Sequence, residues 1–351
     1  MREVINPLMR KIYEGVYRTN ERMLYFGSIF PFEKEFTRKI SEANSFNMDL
    51  HTHTTESDGV NTPHYSVWNG IRRKLDGIGI TDHDTCKHDP TCKHLQEKCK
   101  KHNFVVVSGT EYTTTIELEK DKAGIAHIVG LRPNYKATQE ELKLIERTKE
   151  IKKPYNFITC TLNSGKNNVL PSEEVIETLL EQGNVVVIPH YWTQHGVRNR
   201  IVDLLENKRY GEVCVEIYNP RAGLMPKKIP SIVLRHGNLV ANSDTHYARL
   251  TEGDASTIFD KADVFGSDGR PNTDKIFEAM RKNKTTPYLV PINSFARNAD
   301  KLRFLHALHD GRSFLEYFDD DRRICADITN KSLSGKEIEE SLEDHVTVPE
   351  D

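Results

Sequence analysis

Two histidines two residues apart, in Asp49-Leu50-His51-Thr52-His53, open a series of metal-type side chains that recurs along the chain. On a strand, positions i and i+2 share a face, so His51 and His53 can present two imidazole nitrogens to one ion. Asp58 follows in Ser57-Asp58-Gly59, then His83 in Thr81-Asp82-His83-Asp84 and Glu111 in Gly109-Thr110-Glu111. His127 comes after Ala126, His190 after Pro189, and Asp244 and His246 close the series in Ser243-Asp244-Thr245-His246. Any one of these is an ordinary polar residue at a strand end. Almost all of them end short apolar runs, which is the pattern of one site assembled from successive strands. Nine ligands exceed one coordination sphere. An imidazole and carboxylate set without thiolates suits two or three Zn, Mn or Fe ions. Such ions lower the pKa of bound water from about 15.7 to about 7 and polarise the oxygen under attack, so the expected chemistry is hydrolysis by a metal-bridging hydroxide.

The elements that must position these residues follow from local pattern. Asn47 to Thr52 reads as a strand, and Thr62-Pro63 opens a helix with Thr as N-cap and Pro in the first turn. Gly77 to Thr81, Phe104 to Ser108, Ile125 to Leu131, Val185 to Ile188, Glu212 to Tyr218 and Leu239 to Ala241 read as further strands, with a lysine-rich helix running to His102. Strands alternating with helices predict a parallel α/β sheet or barrel. Residues 132–183 interrupt the alternation as a helical insertion. Thr138-Gln139-Glu140-Glu141 is a capping box, Asn163 to Asn168 is a polar loop, and Ser172 caps a helix that stops at Gly183. This insertion is expected to cap the barrel mouth, with Lys166 toward the substrate. Asn272 to Asn283 reads as a closing helix. Residues 1–45 form an N-terminal helical extension whose paired apolar positions, from Val4/Ile5 to Val16/Tyr17, recur every four residues. It either packs on the main domain or makes a homo-oligomer. Residues 291–351 form a C-terminal helical extension with an acidic tail.

The ordered motifs Asp-Leu-His-Thr-His, Ser-Asp-Gly, Ile-Thr-Asp-His-Asp, Gly-Thr-Glu, Ala-His-Ile-Val-Gly and Asn-Ser-Asp-Thr-His resemble the PHP (polymerase and histidinol phosphatase) domain family, over residues 46–290. The resemblance implies a metal-dependent phosphoesterase built as a distorted (β/α)7 barrel, with a trinuclear metal centre at the C-terminal strand ends. Carried over by motif, it implies that His51, His53, Glu111 and Asp244 hold one ion, and Asp58, His83 and His246 a second. Glu111, His127 and His190 would hold a third, with Glu111 bridging. One departure stands out. The run Val187-Ile188-Pro189-His190-Tyr191-Trp192 lacks the arginine that precedes this histidine in the nucleotide-cleaving branch, so that branch's substrate does not transfer. The amidohydrolase barrel, which cleaves C–N bonds, also begins with His-x-His. It normally carries a metal-bridging lysine on a middle strand, and no strand end here offers one.

Substrate contacts are sought just beyond the strand ends. Arg198 and Arg221 are the preferred phosphate clamp, ahead of Arg200 and Arg249, since a guanidinium can grip two phosphate oxygens at once. Asp84 and His195 are the candidates to protonate a leaving group. Tyr191 and Trp192 offer rings for stacking or for loop packing. With 49 Lys plus Arg against 52 Asp plus Glu, the net charge of −3 excludes a bulk polyanion binder. The expected substrate is therefore a small phosphomonoester, nucleotides included, with exonucleolytic cleavage of a nucleic-acid end as the alternative and a non-catalytic metal-stabilised module as a third reading. Six cysteines suggest a reducing compartment. The repeated triplets Cys86-Lys87-His88 and Cys92-Lys93-His94 would make a second zinc site only at an unfamiliar spacing. No signal-peptide core and no apolar run of bilayer length is seen, so a cytoplasmic protein without a membrane partner is expected.

Overall fold

The computed structural model describes residues 44–59, 61–119, 122–152, 155–156, 161–162, 170–220, 229–246 and 253–289. The chain divides into two compact units, and every element below belongs to the unit Lys39–Leu289. The other unit, Met1–Arg38 with Val290–Asp351, lies outside the described residues, as does the loop with Lys166. The expectations for both terminal extensions fall there.

Among the described residues, eleven strands make one mixed sheet. β1 (Ser45–Thr52), β2 (Gly77–Ile80) and β3 (Val105–Glu119) run parallel. β4 (Lys122–Arg132) folds back on β3 in register from Ser108↔Arg132 onward. A short hairpin of β5 (Tyr155–Asn156) and β6 (Thr161–Leu162) joins β4 at Gly124. β7 (Val185–Ile188) is antiparallel to β4 and parallel to β8 (Cys214–Tyr218), which is parallel to β9 (Leu239–Ala241). β10 (Ala255–Asp260) is antiparallel to β1, and β11 (Thr285–Leu289) is antiparallel to β10. Pro287, which has no N–H to offer a ladder, sits on this last strand of the path. The two ends of the path meet. Thr285 Oγ1 donates to Leu239 O at 2.8 Å, Thr257 Oγ1 donates to Ala241 O at 3.0 Å, and beyond the strand ends His53 N–H donates to Thr245 O at 2.8 Å. The result is a nearly closed, distorted barrel.

Two features depart from simple βα alternation. The strand carrying Glu111 does not end there: Thr113-Thr114-Thr115-Ile116, β-branched throughout, continues it into a hairpin with β4. β10 and β11 fill the gap between β1 and β9, where the sequence reading placed no strand. The helices are α1 (Pro63–Arg72), α2 (Asp89–Cys99), α3 (Gln139–Lys152), α4 (Ser172–Glu181), α5 (Ile201–Glu206), α6 (Ser231–His236), α7 (Lys261–Val264) and α8 (Thr273–Arg281). Thr62 Oγ1 accepts from Tyr65 N–H at the start of α1. At α3 the capping box is reciprocal: Thr138 N–H donates to Glu141 Oε2 at 2.8 Å, and Glu141 N–H donates to Thr138 Oγ1 at 3.2 Å. Ser172 does not cap α4. Pro171 holds that position, and Ser172 Oγ bonds to Thr114 Oγ1 at 2.7 Å instead. α3 packs on β3, and α4 packs on β3, β4 and β7.

Alternation along the strands sorts the core. Val105 and Val107 of β3 join Val129, Leu131, Val185, Val187 and Cys214 in one apolar cluster, while Val106 faces Ile78, Ile80, Cys92 and Leu95 in another. The first cluster's column on β3 continues through Gly109 to Glu111, and on β4 from Leu131 through Val129 to His127. Metal-type side chains thus stand above an apolar floor. β1 contributes Phe46, Met48 and Leu50 to that floor. Its register against β2 shifts between Asp49 and Thr52, and past the shift His51 and His53 are the residues that meet Glu111.

Candidate metal centre

Glu111 is the hub. It is 1% exposed, and five imidazoles face its carboxylate: Oε2 lies 3.1 Å from His51 Nε2, 3.0 Å from His53 Nε2 and 3.3 Å from His83 Nδ1, while Oε1 lies 2.9 Å from His127 Nδ1 and 3.1 Å from His190 Nε2. Asp244 Oδ1 stands 3.3 Å from His53 Nε2 and 3.8 Å from His51 Nε2. Asp58 Oδ1 stands 3.0 Å from His246 Nε2, and its Oδ2 is 3.8 Å from His83 Nε2. All nine residues singled out from the sequence therefore converge. Among the described residues, three groups have ligand atoms within 4.8 Å of one another: His53, Asp58, His83 and His246; His51, His53, Glu111 and Asp244; and His83, Glu111 and His127. The second matches the implied first ion. The first adds His53 to the implied second ion, and the third has His83 where the resemblance implies His190.

The donor set fits cations on its own chemistry. His53 Nε2 faces His51 Nε2 at 3.2 Å as well as two carboxylates, and one ring proton cannot serve all three contacts. The ring nitrogens His53 Nδ1 and His83 Nδ1 are buried without a hydrogen bond. Burial disfavours the charged form of every group here, yet neighbouring charges prevail at Glu111, Asp244 and His53. The rings of His83, His51 and His127 hold Glu111 well below the carboxylate range against burial, and those of His51 and His53 do the same for Asp244. Conversely, Asp244 and Glu111 push His53 up to about 9 against burial, whereas His83, for which burial wins, falls to about 3. Carboxylates that recruit ring protons when no ion is bound release them on binding one. Asp58, with a side chain 51% exposed, marks the open side of this otherwise buried cluster.

Buried acids that the sequence reading passed over set the ligands in place. Asp82 accepts from Thr54 N–H (2.7 Å), Thr54 Oγ1 (2.6 Å) and Ser57 Oγ (2.6 Å), which fixes the loop carrying Asp58. A Cβ at Gly59 would collide with the His53 carbonyl, so glycine lets this loop lie against β1. Asp49 accepts from Ser243 N–H (3.0 Å) and Gly253 N–H (2.8 Å) and so anchors the turn before Asp244; burial, opposed by those bonds, lifts its carboxyl to about 6. Glu216, fully buried on β8, contacts the His51 ring and the His190 backbone. The signal for it was a lone acid in Val213-Cys214-Val215-Glu216-Ile217.

The remaining predicted residues fare differently. Asp84 accepts from Thr113 N–H and Thr113 Oγ1, both at 2.7 Å, which clamps it to β3. His195 lies beside the cluster, its ring centroid 5.4 Å from that of His127, and its carbonyl accepts from His127 N–H at 3.0 Å. Arg198 turns onto its own loop: Nε donates to Thr193 O (3.3 Å) and Nη2 to Gln194 O (2.7 Å). Arg200 pairs with Glu173 and Asp203. Arg221 and Arg249 lie outside the described residues. Tyr191 is buried edge-on to Trp192. Of the second-zinc triplets, Cys92 is buried and His88 Nε2 meets Gly109 O at 2.8 Å, and no ligand group forms around them among the described residues. No described helix is long and apolar enough to cross a membrane.

No family model matches the chain. A stretch of 85 residues, 24% of this chain, is 34% identical to the 5'-3' exoribonuclease Rnm of Salmonella typhimurium, so the match spans about a quarter (26%) of that relative. Among solved structures, the chain is similar to a protein from Bifidobacterium adolescentis described as a metal-dependent phosphoesterase, with 17% identity, 67% of this chain and 96% of that one covered, and a TM-score of 0.43. A two-domain protein from Bacteroides vulgatus containing a PHP-like metal-dependent phosphoesterase gives 16% identity, 70% and 65% coverage, and a TM-score of 0.43. An amidohydrolase from Chromobacterium violaceum gives 15% identity, 67% and 96% coverage, and a TM-score of 0.41.

Proposed function

We propose that this chain is a member of the PHP family and a metal-dependent phosphoesterase that hydrolyses a terminal phosphate ester on a small molecule. One observation carries the reading: five imidazoles and a second carboxylate, Asp244, crowd around buried Glu111, a donor set that matches two or three divalent ions. Bound there, such ions would polarise the ester oxygen and acidify a water from about 15.7 to about 7. The chain's own residues define the rest. Among the described residues the cluster stands on a buried floor and opens at the exposed Asp58, a geometry that suits a phosphoryl group at the end of a molecule. His195 stands half-buried beside His127. Burial, with the His127 and His190 rings beside it, lowers its pKa to about 4. At neutral pH it is then an N–H donor suited to hold a phosphoryl or leaving-group oxygen by a hydrogen bond. A net charge of −3 offers no general attraction for a polyanion.

A second reading, exonucleolytic cleavage at an RNA 5' end, is favoured by the identity shared with the exoribonuclease. The test is a panel of mononucleotides, sugar phosphates and 5'-phosphorylated oligoribonucleotides, assayed with the full chain reconstituted with Mn or Zn. Fastest release of inorganic phosphate from small monoesters is the expected result. Faster release of mononucleotides from RNA selects the second reading. A metal-loaded protein that turns over none of them overturns the phosphoesterase reading.

A further inference from the structure

Glu216 of β8 accepts four hydrogen bonds in the interior. Oε1 takes His51 Nδ1 at 3.3 Å and Asn242 Nδ2 at 3.1 Å, and Oε2 takes His190 N–H at 2.9 Å and Asn219 Nδ2 at 2.7 Å. Three of these partners can only donate. The His190 backbone carries a fixed N–H. Asn242 has its oxygen engaged by Leu50 N–H at 2.9 Å, so its amide nitrogen must face Glu216. Asn219 Nδ2 points at two carboxylates, Glu216 and, at 3.3 Å, Asp244 Oδ2. A carboxylate is an acceptor only, so the fourth partner, His51 Nδ1, carries its proton toward Glu216. Its Nε2 then presents a lone pair to Glu111, His53 and Asp244. Meanwhile His190 (φ 27°) and Asp244 (φ 51°) hold left-handed backbone conformations that non-glycine residues rarely adopt, and Glu216 holds the first directly and the second through Asn219.

We propose that Glu216 is the positioning residue of the site: it fixes the His51 tautomer and holds His190 and Asp244 where their side chains face the same ions. The inference rests on the metal-centre reading above. It also accounts for a carboxylate at this position. Glutamine has the same shape but accepts on one oxygen only, so its amide would oppose one pair of donors whichever way it turned. Of the three ligand groups, the one made by His51, His53, Glu111 and Asp244 includes a Glu216 partner, while the groups His53, Asp58, His83, His246 and His83, Glu111, His127 include none.

The test compares wild type, E216Q and M280A, the last a control in the apolar floor whose side chain offers neither hydrogen bond nor charge to the candidate ligands. Zn alone is the probe. Zn per chain is measured after dialysis and affinity by competition with a chromogenic chelator. Long-range 15N–1H correlation at saturating Zn reads the His51 Nδ1 proton, and urea unfolding reads stability. E216Q should weaken the His51 and Asp244 ion by about 10- to 100-fold, retain the ion held by His53, Asp58, His83 and His246, and speed the exchange of the His51 Nδ1 proton with solvent. Unchanged Zn affinity in E216Q, with wild type binding Zn, overturns the inference alone. Parallel Zn loss in E216Q and M280A at matched stability also overturns it, because a purely structural role would do that. Wild type that takes up no Zn overturns the metal reading and the inference with it. Should E216Q fail to fold, Glu216→Asp, which keeps the charge but shortens the reach, carries the same measurements.

Discussion

Glu111→Gln is the sharpest perturbation of the centre, because Glu111 belongs to two of the three ligand groups while His246 belongs to one. An ion at a hundred times its dissociation constant stabilises the fold by about 2.7 kcal/mol. Losing two such ions removes about 5 kcal/mol of metal-dependent stability, and losing one removes about half of that. At about 2–4 °C per kcal/mol for a domain of this size, the melting shift between Mn-loaded and EDTA-treated protein should shrink by roughly 10–20 °C in Glu111→Gln. In His246→Ala it should shrink by about half as much. Taking the difference between loaded and stripped forms of each variant matters here. Glu111→Gln also removes a charge that five rings face, and that loss alters the metal-free protein too. Elemental analysis after dialysis gives the independent count. A full metal complement in Glu111→Gln, or equal losses in the two variants, would refute the bridging role.

Arg132, 1% exposed, donates to Glu141 Oε1 (2.9 Å), Asp89 Oδ1 (3.1 Å) and Tyr112 Oη (3.2 Å), so Arg132→Met should lose about 3–5 kcal/mol in urea unfolding by leaving two carboxylates buried without their cation; a loss under about 1 kcal/mol would reject this. His195→Ala should lower kcat by roughly ten- to a hundredfold at unchanged metal content, the scale of one lost hydrogen bond to a charged oxygen. Arg198→Ala should act through the same loop, so that the double variant is no slower than His195→Ala; additive losses would instead mark Arg198 as a phosphate clamp. Burial raises the Asp76 carboxyl above its ordinary 3.8, opposed by Asn47 N–H and Lys261. A raised folded value means its contribution is complete below 3.8 and fades as pH rises through that folded value, so wild type should lose stability relative to Asp76→Asn as the medium is titrated upward from acid. A pH-independent difference would count against it.

What could be read from the sequence was what is local or chemically conspicuous. The capping box at Thr138 and the Thr62 cap involve neighbours three residues apart, and both form as the spacing dictates. The nine candidate ligands were legible because almost all are polar outliers at the end of an apolar run. Arg198 shows the limit. Its position after His190 was legible, but not that its guanidinium would turn back to its own loop, a choice set by carbonyls that exist only once Thr193 and Gln194 have folded. Glu216 shows another limit. An acid within a strand reads as a solvent-facing residue until both faces of the strand are known to be covered. β10 and β11 were missed for a related reason: Ser256 and Thr257, polar by type, are buried at the seam of the barrel, so the strand shows no clean alternation.

The site also carries its own account of why so many buried polar residues stand behind the ligands. Of the non-glycine residues with positive φ among those described, Asp84 (50°), His190 (27°), Arg198 (51°) and Asp244 (51°) all lie at the strand ends around the cluster. Each such conformation costs on the order of 1–3 kcal/mol and persists only where the surroundings over-determine it. The surroundings do so here. Thr113 grips Asp84 with two bonds, Glu216 takes the His190 N–H, the N–H and guanidinium of Arg198 both bond within its loop, and Asn219 holds Asp244. The sharp turns aim side chains across the barrel mouth, and the braces keep them aimed. A Cβ at Gly196 would come within 2.5 Å of the His190 and Tyr191 carbonyls, which shows how tightly the loop behind His190 closes on itself. Strain at the site, shared by four of the eight described non-glycine residues with positive φ, is therefore balanced by hydrogen bonds one layer further out. Substitutions in that outer layer, at Glu216, Asn219 or Thr113, should perturb metal binding although none of the three is itself among the nine predicted ligands.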